Sequence, residues 1–235
     1  MKELSVIMPA KNEEEHIFGS IKEVGKVFDN YGLTYEIVVV DDGSTDRTYR
    51  EASKAAAEND CIKVFRKENG GKGSALEYGF NKCSGRLVTF LDADLDLHPR
   101  QIPLFIEYLK RSNADVVIGS KVHPLSKVSY PLHRKILSRT YHAMVQILFD
   151  ITLTDTQAGL KLFKREVLRD VLPSTSSKKY AFDLELLIKS HRRGFKIVEA
   201  PVELNWQRVK GRIRLADIVA IAFDTAAIFY RLNVS

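Results

Sequence analysis

The sequence predicts an α/β protein with a Rossmann-like, mostly parallel central sheet and helices on both faces. Short apolar, β-branched runs alternate with longer helical patterns along the chain, which is typical of doubly wound sheets. The runs EIVVVDD and RLVTFLD are also apolar almost throughout, as expected of strands that are covered on both faces. In such sheets, ligands bind beyond the carboxyl ends of the strands.

The elements follow one another without an internal repeat or a low-complexity linker. The predicted strands are Leu4–Pro9, Tyr35–Val40, Ile62–Phe65, Leu87–Leu91, Asp115–Gly119, Leu160–Phe163 and Lys196–Glu199. The predicted helices are Glu13–Phe28, Asp46–Asn59, Gly73–Cys83, Pro99–Arg111, Leu132–Phe149, Phe182–Arg193 and Ile213–Arg231. After about Gly119 the alternation weakens and basic residues become frequent, which suggests that residues 1–235 form one domain with a nucleotide-binding half over 1–119 and an acceptor half over 120–235.

Composition narrows the class of protein. A chain of 235 residues with 45% hydrophobic and 28% charged residues is ordinary for a soluble globular domain. The net charge of +6 favours an anionic partner, either a phosphorylated ligand or a lipid surface. Two cysteines are too few for a disulfide framework, so we expect a reduced, cytosolic setting. The start has no signal-peptide layout, and no run of about 18 apolar residues predicts a membrane span.

Polar clusters follow three of the predicted strands. The sequence PAKNEE follows the first strand, DDGSTD the second, and DAD follows LVTFL. Because the carboxyl ends of parallel strands meet at one edge, we expect a single site there.

The second cluster holds more acids than a turn needs. A turn and a helix N-cap account for Ser44 to Asp46. Asp41 and Asp42 remain, and an acid at this position accepts hydrogen bonds from a ribose or a base. We predict a ligand role for at least one of them.

The stretch FLDADLDLHP places Asp92, Asp94 and Asp96 at alternating positions. A solvated turn is the simpler explanation, but the acids end a buried strand beside two other acidic strand ends. Hard oxygen ligands suit Mg²⁺ or Mn²⁺, and magnesium usually keeps positions open for substrate phosphates. We therefore predict a metal whose other ligands are a diphosphate.

The glycine-rich stretch ENGGKGSALEYGF fails the Walker spacing, because Gly73 follows Lys72 where a serine or threonine is needed. Two interpretations stay open. The stretch is either a tight loop that opens the next helix, or a contact to a sugar nucleotide through Lys72 or backbone N–H groups.

Two basic sets lie in the second half of the chain. They are Lys121, Arg134, Lys135 and Arg139, and then Arg208, Lys210, Arg212 and Arg214. Either set is a solvated face or a phosphate contact; without a recognised motif or interleaved aromatic residues, nucleic acid is not expected. The final helix carries an apolar stripe that either packs on the core or lies at a membrane interface: Ile213, Ala216, Val219, Ala220, Phe223, Ala227 and Tyr230.

Taken together, the motifs resemble a known family. The order MPAKNEE, VVVDDGSTD, GGKGSA, FLDADLDLHP, VIGSK, TDTQAGLKLFKREVL and YAFDLELL is similar to inverting glycosyltransferases with a GT-A fold. More narrowly it resembles polyprenyl-phosphate glycosyltransferases, the dolichyl-phosphate mannose and glucose synthases. The stretches TDTQAGLKLF and AFDLELL are closer to the glucose branch.

The resemblance implies a role for each matching residue. Nucleotide-sugar contacts would come from Pro9, Ala10, Glu13, Asp41, Asp42, Lys72, Asp92, Ala93, Asp94, Lys121 and Arg208. Asp92, Asp94 and Asp96 would hold the metal, and Arg134 and Gln157 would contact the acceptor phosphate. Asp92, Asp94 and Asp155 would serve catalysis.

The implied reaction moves a hexose, with inversion, from UDP-glucose or GDP-mannose to a polyprenyl or dolichyl phosphate. A phosphate monoester is anionic at neutral pH and needs no general base. The chain would work at the cytosolic face of a membrane, held at its surface. Two alternatives stay open: transfer to a soluble or protein acceptor, with Asp155 or Asp183 as base, and a nucleotide-sugar-binding subunit without turnover.

Overall fold

The computed structural model describes residues 2–128, 132–178, 181–204 and 215–233, without the side chains of 132–140 and 215–222. The strands are β1 (Leu4–Ala10), β2 (Tyr35–Asp42), β3 (Ile62–Lys67), β4 (Leu87–Phe90), β5 (Val116–Ser120), β6 (Lys161–Lys164) and β7 (Ile197–Pro201). The helices are α1 (Ile17–Asn30), α2 (Thr48–Ala57), α3 (Lys72–Phe80), α4 (Ile102–Arg111), α5 (Leu132–Phe149), α6 (Arg165–Val171), α7 (Phe182–Arg192) and α8 (Leu215–Asn233). Pro99–Gln101 and Leu172–Ser174 form 3₁₀ turns.

The strands form one sheet in the order β3-β2-β1-β4-β6-β5-β7. Strand β6 runs antiparallel to both of its neighbours, and every other pairing in this sheet is parallel. The predicted mostly parallel sheet is therefore confirmed. Because β6 is reversed, its first residue lies at the edge where β1, β2 and β4 end.

Apolar side chains bury both faces of the sheet. On one face, α1, α2 and α4 cover residues such as Val6 and Val117. On the other, α3 and α5 to α8 cover residues such as Ile7 and Phe163. Neighbouring residues of a strand thus enter opposite cores, which explains the uninterrupted apolar runs.

Each predicted strand and helix is present, with shifted ends. Helix α1 begins at Ile17 instead of Glu13, because residues 13–16 form a turn against the loop after β2. The predicted helix at Pro99 begins as a 3₁₀ turn, and α4 proper starts at Ile102. The short helix α6 was not predicted, since seven residues give too little periodicity to detect.

The described end of α8 settles which way its apolar residues face. Thr225 and Ile228 are buried, and Phe229 packs against Phe149 of α5 with ring centroids 5.9 Å apart. Phe223 and Tyr230, from the predicted stripe, instead point outward and are 71% and 64% exposed. Core packing therefore does not explain these two aromatic residues. Within the part of the chain that the structure describes, no helix is both long and apolar enough to cross a bilayer.

Candidate active site

A cleft of about 800 Å³ opens at the carboxyl ends of β1, β2 and β4. Nine of the predicted site residues line it: Pro9, Ala10, Glu13, Asp42, Lys72, Asp92, Ala93, Asp94 and Gln157. A smaller cavity of about 180 Å³ adjoins it and is lined by Asp96, Lys121 and Gly159, among others. Asp92 and Gln157 line both cavities, so they stand at the junction.

The alternation of acids after β4 follows from what lies between them. Ala93, Leu95 and Leu97 are almost fully buried in the core under this turn. The acidic side chains at 92, 94 and 96 are therefore turned toward the cavities. Leu95 adopts a left-handed φ of 53°, which is energetically costly for a residue other than glycine. It closes a tight turn in which the Asp96 N–H donates to Asp94 Oδ1 at 3.0 Å.

Lys72 reaches across the cleft and forms an ion pair with Asp92. The distance from Lys72 Nζ to Asp92 Oδ1 is 2.6 Å. Burial alone would lower the pKa of the Lys72 ammonium, but nearby carboxylates, chiefly Asp92 and Asp183, raise it above its ordinary value. Lys72 is thus a charged part of the cleft. This favours a contact to a sugar nucleotide, and not only a tight loop, for the glycine-rich stretch.

Two further acids of the cleft, Asp94 and Glu13, are partly buried and lie close to other carboxylates. Burial raises the pKa of the Asp94 carboxyl, and the nearby Asp92 charge raises it further. Burial also raises the pKa of Glu13, and Asp94 adds to that effect. Closely spaced carboxylates with raised pKa values are stabilised by a cation.

The predicted set of three metal ligands is not assembled. Among the described residues, no three acidic, histidine or cysteine side chains converge as a metal site. Asp94 lines the cleft, Asp96 lines the smaller cavity and Asp92 lines both, so the role of Asp96 as a third ligand stays a prediction. Asp92 and Asp94 alone still fit a magnesium-like cation, which takes one or two carboxylates and completes its shell with substrate phosphates and water.

Asp41 and Asp42 are adjacent in sequence but differ in surroundings. The Asp41 carboxylate is fully buried, accepts the Ser44 N–H at 3.0 Å and lies 3.2 Å from Arg66 Nε. Asp42 lines the cleft and accepts the N–H groups of Gly70 and Gly71 at 2.9 and 2.8 Å. The structure therefore brings Asp42, and not Asp41, to the site.

Asp155 is also buried, away from both cavities. Its carboxylate accepts the N–H groups of Lys121 and Gln157, both at 3.0 Å. Lys121 Nζ lies 3.6 Å away and His142 Nε2 lies 3.7 Å away. Asp155 thus fixes two residues that line the smaller cavity. A direct part in proton transfer does not fit this burial.

Two predicted basic residues cannot be placed. Arg208 lies outside the described residues, and Arg134 belongs to α5 at a position whose side chain lies outside them as well.

Residues without an assigned site role also shape the cleft. Lys161 is almost fully buried and pairs with Asp183, which lines the cleft, at 2.9 Å. A Cβ on Gly159 would lie only 2.3 Å from Asp92 Oδ2, so any larger residue there would displace the Asp92 carboxylate. Both contacts depend on the reversed strand β6, whose pairing the local sequence does not reveal.

The fold and the cleft place the chain among doubly wound α/β enzymes with a ligand site at the carboxyl edge of the sheet. The chain belongs to glycosyl transferase family 2, whose pattern matches residues 5–172. This confirms the predicted family resemblance and the prediction of a glycosyltransferase.

Two relatives show the range of proteins in which this domain occurs. The chain is 32% identical over 246 residues to the dolichyl-phosphate β-glucosyltransferase ALG5D of Trichomonas vaginalis, with 98% of this chain and 75% of ALG5D covered. It is 29% identical over 204 residues to the glycosyltransferase AglD of Haloferax volcanii. That match covers 86% of this chain and 33% of AglD, so the chain spans only a third of that relative's length.

Solved structures confirm the predicted GT-A fold. Glucosyl-3-phosphoglycerate synthase of Mycobacterium tuberculosis, solved with Mn²⁺, UDP and glucosyl-3-phosphoglycerate, superposes with a TM-score of 0.75. The match covers 98% of this chain and 79% of the synthase at 22% identity. At that identity the likeness concerns the fold alone.

Proposed function

We propose that the chain transfers a hexose, with inversion, from a nucleoside diphosphate sugar to a polyprenyl or dolichyl phosphate. One observation carries the proposal: Asp92 stands where a nucleotide-sized cleft meets a smaller cavity that contains Lys121. A donor in the cleft would thus present its sugar to an anion in the smaller cavity. The likeness to ALG5D supports glucose and dolichyl phosphate as the pair.

The cleft would hold the donor through the residues after β1, β2 and β4. Asp92 and Asp94 would bind a divalent cation, Mg²⁺ or Mn²⁺, together with the donor diphosphate. When bound, that cation offsets the negative charge that develops on the leaving diphosphate. Residues 1–119 supply most of the cleft, and Gln157 and Asp183 come from the second half. This division supports a donor half and an acceptor half within one domain.

The smaller cavity would position the acceptor. Lys121 supplies a positive charge there, and a cation held by Asp92 would offset the carboxylates of Asp92 and Asp96 that line the same cavity, which together would suit a phosphate oxygen. That oxygen forms a bond to the anomeric carbon while the bond to the donor diphosphate breaks, and the electron pair leaves with the nucleoside diphosphate. The nucleophile is already anionic, so no proton has to be removed. In the described part of the chain no histidine lines either cavity, and Asp155 is buried.

A transfer assay tests this proposal. The protein is incubated with Mn²⁺ or Mg²⁺ and radiolabelled UDP-glucose or GDP-mannose, with a short polyprenyl phosphate or 3-phosphoglycerate as acceptor. We expect label in the organic extract with one donor and with the polyprenyl phosphate alone. Label only in the water-soluble product would replace the lipid acceptor with a soluble one. Nucleotide binding without any transfer would favour the non-catalytic subunit.

We also propose that the chain acts at the cytosolic surface of a membrane. On α8, Phe223, Ala226, Ala227 and Tyr230 form an exposed stripe at spacings of three and four. On the neighbouring helix α5, Ile147 is 83% exposed. An amphipathic helix of this kind lies in the interface plane with its apolar face among the acyl chains.

Flotation with anionic liposomes tests the membrane surface. Wild-type protein should float with the vesicles at low salt, and the double change Phe223→Asp with Ile147→Asp should abolish flotation. Tyr31→Asp is the matched control, because Tyr31 is a 57% exposed aromatic residue at the end of α1. An equal loss of flotation for Tyr31→Asp would argue against a membrane-binding surface formed by α5 and α8.

A further inference from the structure

The backbone that carries Lys72 is held firmly at the mouth of the cleft. Asp42 accepts the N–H groups of Gly70 and Gly71, and Gly71 has a left-handed φ of 89°. One residue past Lys72, the Gly73 N–H donates to the Lys178 carbonyl at 2.9 Å. Lys72 itself is the first residue of α3, so its side chain starts from a fixed point.

The two carboxylate oxygens of Asp92 have different neighbours. Oδ2 lies against the Gly159 backbone, where even a Cβ would approach to 2.3 Å. Oδ1 is the atom that Lys72 Nζ contacts at 2.6 Å. Oδ1 is therefore already in contact with a positively charged group, the Lys72 ammonium.

Lys72 has more than one acid within reach. Asp183 and Asp94 both contribute to the field at its ammonium, although Asp183 is also paired with Lys161 at 2.9 Å. The side chains of Lys72 and Asp92 are 36% and 39% exposed, so neither is locked in place by packing. A flexible lysine side chain in such surroundings can exchange one anion for another at little cost.

A divalent cation and Lys72 compete for Asp92. Lys72 already contacts Oδ1, and both groups are positively charged, so a cation that binds the same carboxylate has to displace the ammonium or bind against its charge. A nucleoside diphosphate changes this balance, because its phosphate oxygens offer the Lys72 ammonium a second partner in the same cleft.

We propose that Lys72 is the resident counter-cation of Asp92 in the donor-free protein, and that it moves to the donor diphosphate as the divalent cation binds. This inference rests on the proposed function, because it takes a nucleoside diphosphate as the ligand. It makes cation and nucleotide binding mutually dependent, and by linkage each raises the affinity of the other by the same factor.

Mn²⁺ binding, followed by the electron paramagnetic resonance signal of the free ion, measures this dependence. The titrations use wild type, Lys72→Met and Lys72→Arg, each with and without UDP. We expect UDP to raise the Mn²⁺ affinity of wild type by at least about tenfold. Without UDP, Lys72→Met should bind Mn²⁺ about tenfold more tightly than wild type, and the gain on adding UDP should shrink to a few-fold.

Lys178→Met is the matched control, since it removes one positive charge beside α3. Lys178 pairs with Glu77 at 2.6 Å and does not line the cleft. Its Mn²⁺ titrations should match those of wild type. Lys72→Arg should behave like wild type without UDP, because it keeps the charge that competes for Asp92. Thermal melts of each variant establish that it is folded.

Two results would overturn the inference. One is a folded Lys72→Met protein whose Mn²⁺ affinity without UDP equals that of wild type. The other is Lys72→Arg binding Mn²⁺ as tightly as Lys72→Met, since the charge would then be irrelevant. Failure of the proposed function looks different: wild type would then bind neither UDP nor any other nucleoside diphosphate, with or without Mn²⁺.

Discussion

Glu36, at one end of the sheet, and the pair Asp92 and Asp94, at the other, differ in how fully the protein satisfies their carboxylates. At the amino end of β2, Glu36 is almost fully buried, and its carboxylate is surrounded by donors from the protein itself. It accepts hydrogen bonds from the Ser5 hydroxyl and from the N–H and hydroxyl of Ser84, and it pairs with Lys63 at 2.8 Å. Burial opposes the charge, but these contacts outweigh it and lower the pKa of Glu36 to about 2.

At the carboxyl end, Asp92 and Asp94 have few such partners. Asp92 contacts the ammonium of Lys72, and Asp94 accepts one backbone N–H. Because so few donors stabilise its charge, burial raises the pKa of Asp94. A carboxylate that the protein saturates stabilises the fold, whereas one left partly unsatisfied is available to a ligand.

The largest expected effect is on transfer by Asp94→Asn. Loss of a cation ligand should reduce the transfer rate by about a thousandfold, which corresponds to about 4 kcal/mol of transition-state stabilisation. The melting temperature should stay within about 2 °C of wild type, because Asp94 contributes little to folding. Kinetics and melts on the same preparation check both expectations. A rate near that of wild type in the presence of EDTA would contradict the cation role.

Glu36→Gln should produce the opposite pattern. Removing the charge from a buried, saturated carboxylate should lower the free energy of unfolding by about 3 kcal/mol. The transfer rate per folded molecule should not change, since Glu36 lies at the far end of the sheet from the cleft. Urea unfolding and transfer assays below the melting temperature measure the two quantities. A Glu36→Gln protein with wild-type stability but a reduced transfer rate would contradict the assignment of Glu36 to folding stability.

Gly159→Ala tests whether the position of Asp92 matters as much as its charge. The added Cβ would approach Asp92 Oδ2 to 2.3 Å and push the carboxylate aside, so we expect transfer to fall by about a hundredfold. Gly19→Ala is the control, because a Cβ there meets nothing within 4 Å and lies in α1. That change should stabilise the protein by about 0.5–1 kcal/mol without affecting transfer. Equal rates for both variants would show that the close contact has no functional consequence.

The smallest effect concerns pH. The pKa of Glu36 is lowered from 4.5 to about 2 in the folded protein, so its contribution to stability is complete above about pH 5 and is lost as pH falls toward 2. The difference in unfolding free energy between wild type and Glu36→Gln should shrink by about 2 kcal/mol from pH 5 to pH 3. A difference that stays constant over this range would mean that another group carries the effect.

Local pattern was enough to predict every strand, every helix except α6, and the edge of the sheet that holds the site. The apolar runs and the acids that end them are local signals, and the structure places Asp42, Asp92 and Asp94 together as expected. The choice between Asp41 and Asp42 was beyond the sequence, because neighbouring residues of a strand face opposite ways and the pattern does not say which face holds the ligand.

The other features of the site that the sequence did not reveal depend on contacts between residues far apart in the chain. Gly159 lies beside Asp92, and Lys161 beside Asp183, at the start of β6, which inserts antiparallel between β4 and β5. Nothing in the sequence KLFK distinguishes an antiparallel strand from a parallel one. Asp155 was chosen as a catalytic residue from its motif, whereas the surroundings of its buried carboxylate include Lys121 and His142, which lie 34 and 13 positions earlier.

The reversed strand also bears on how such proteins diversify. The chain leaves the sheet after β5 and returns at β6, and the two ends of this excursion are joined by a 3.0 Å hydrogen bond from the Gly119 N–H to the Leu160 carbonyl. An insertion between fixed, adjacent ends adds loop-closure entropy only slowly with length. Gly159 contacts Asp92, and Val145 and Phe149 pack in the core, so length changes fit best where the segment lies on the surface, as at Pro124 and Leu125. Variation there would change the surroundings of Lys121 in the smaller cavity and leave the strand that precedes Asp92 unaltered.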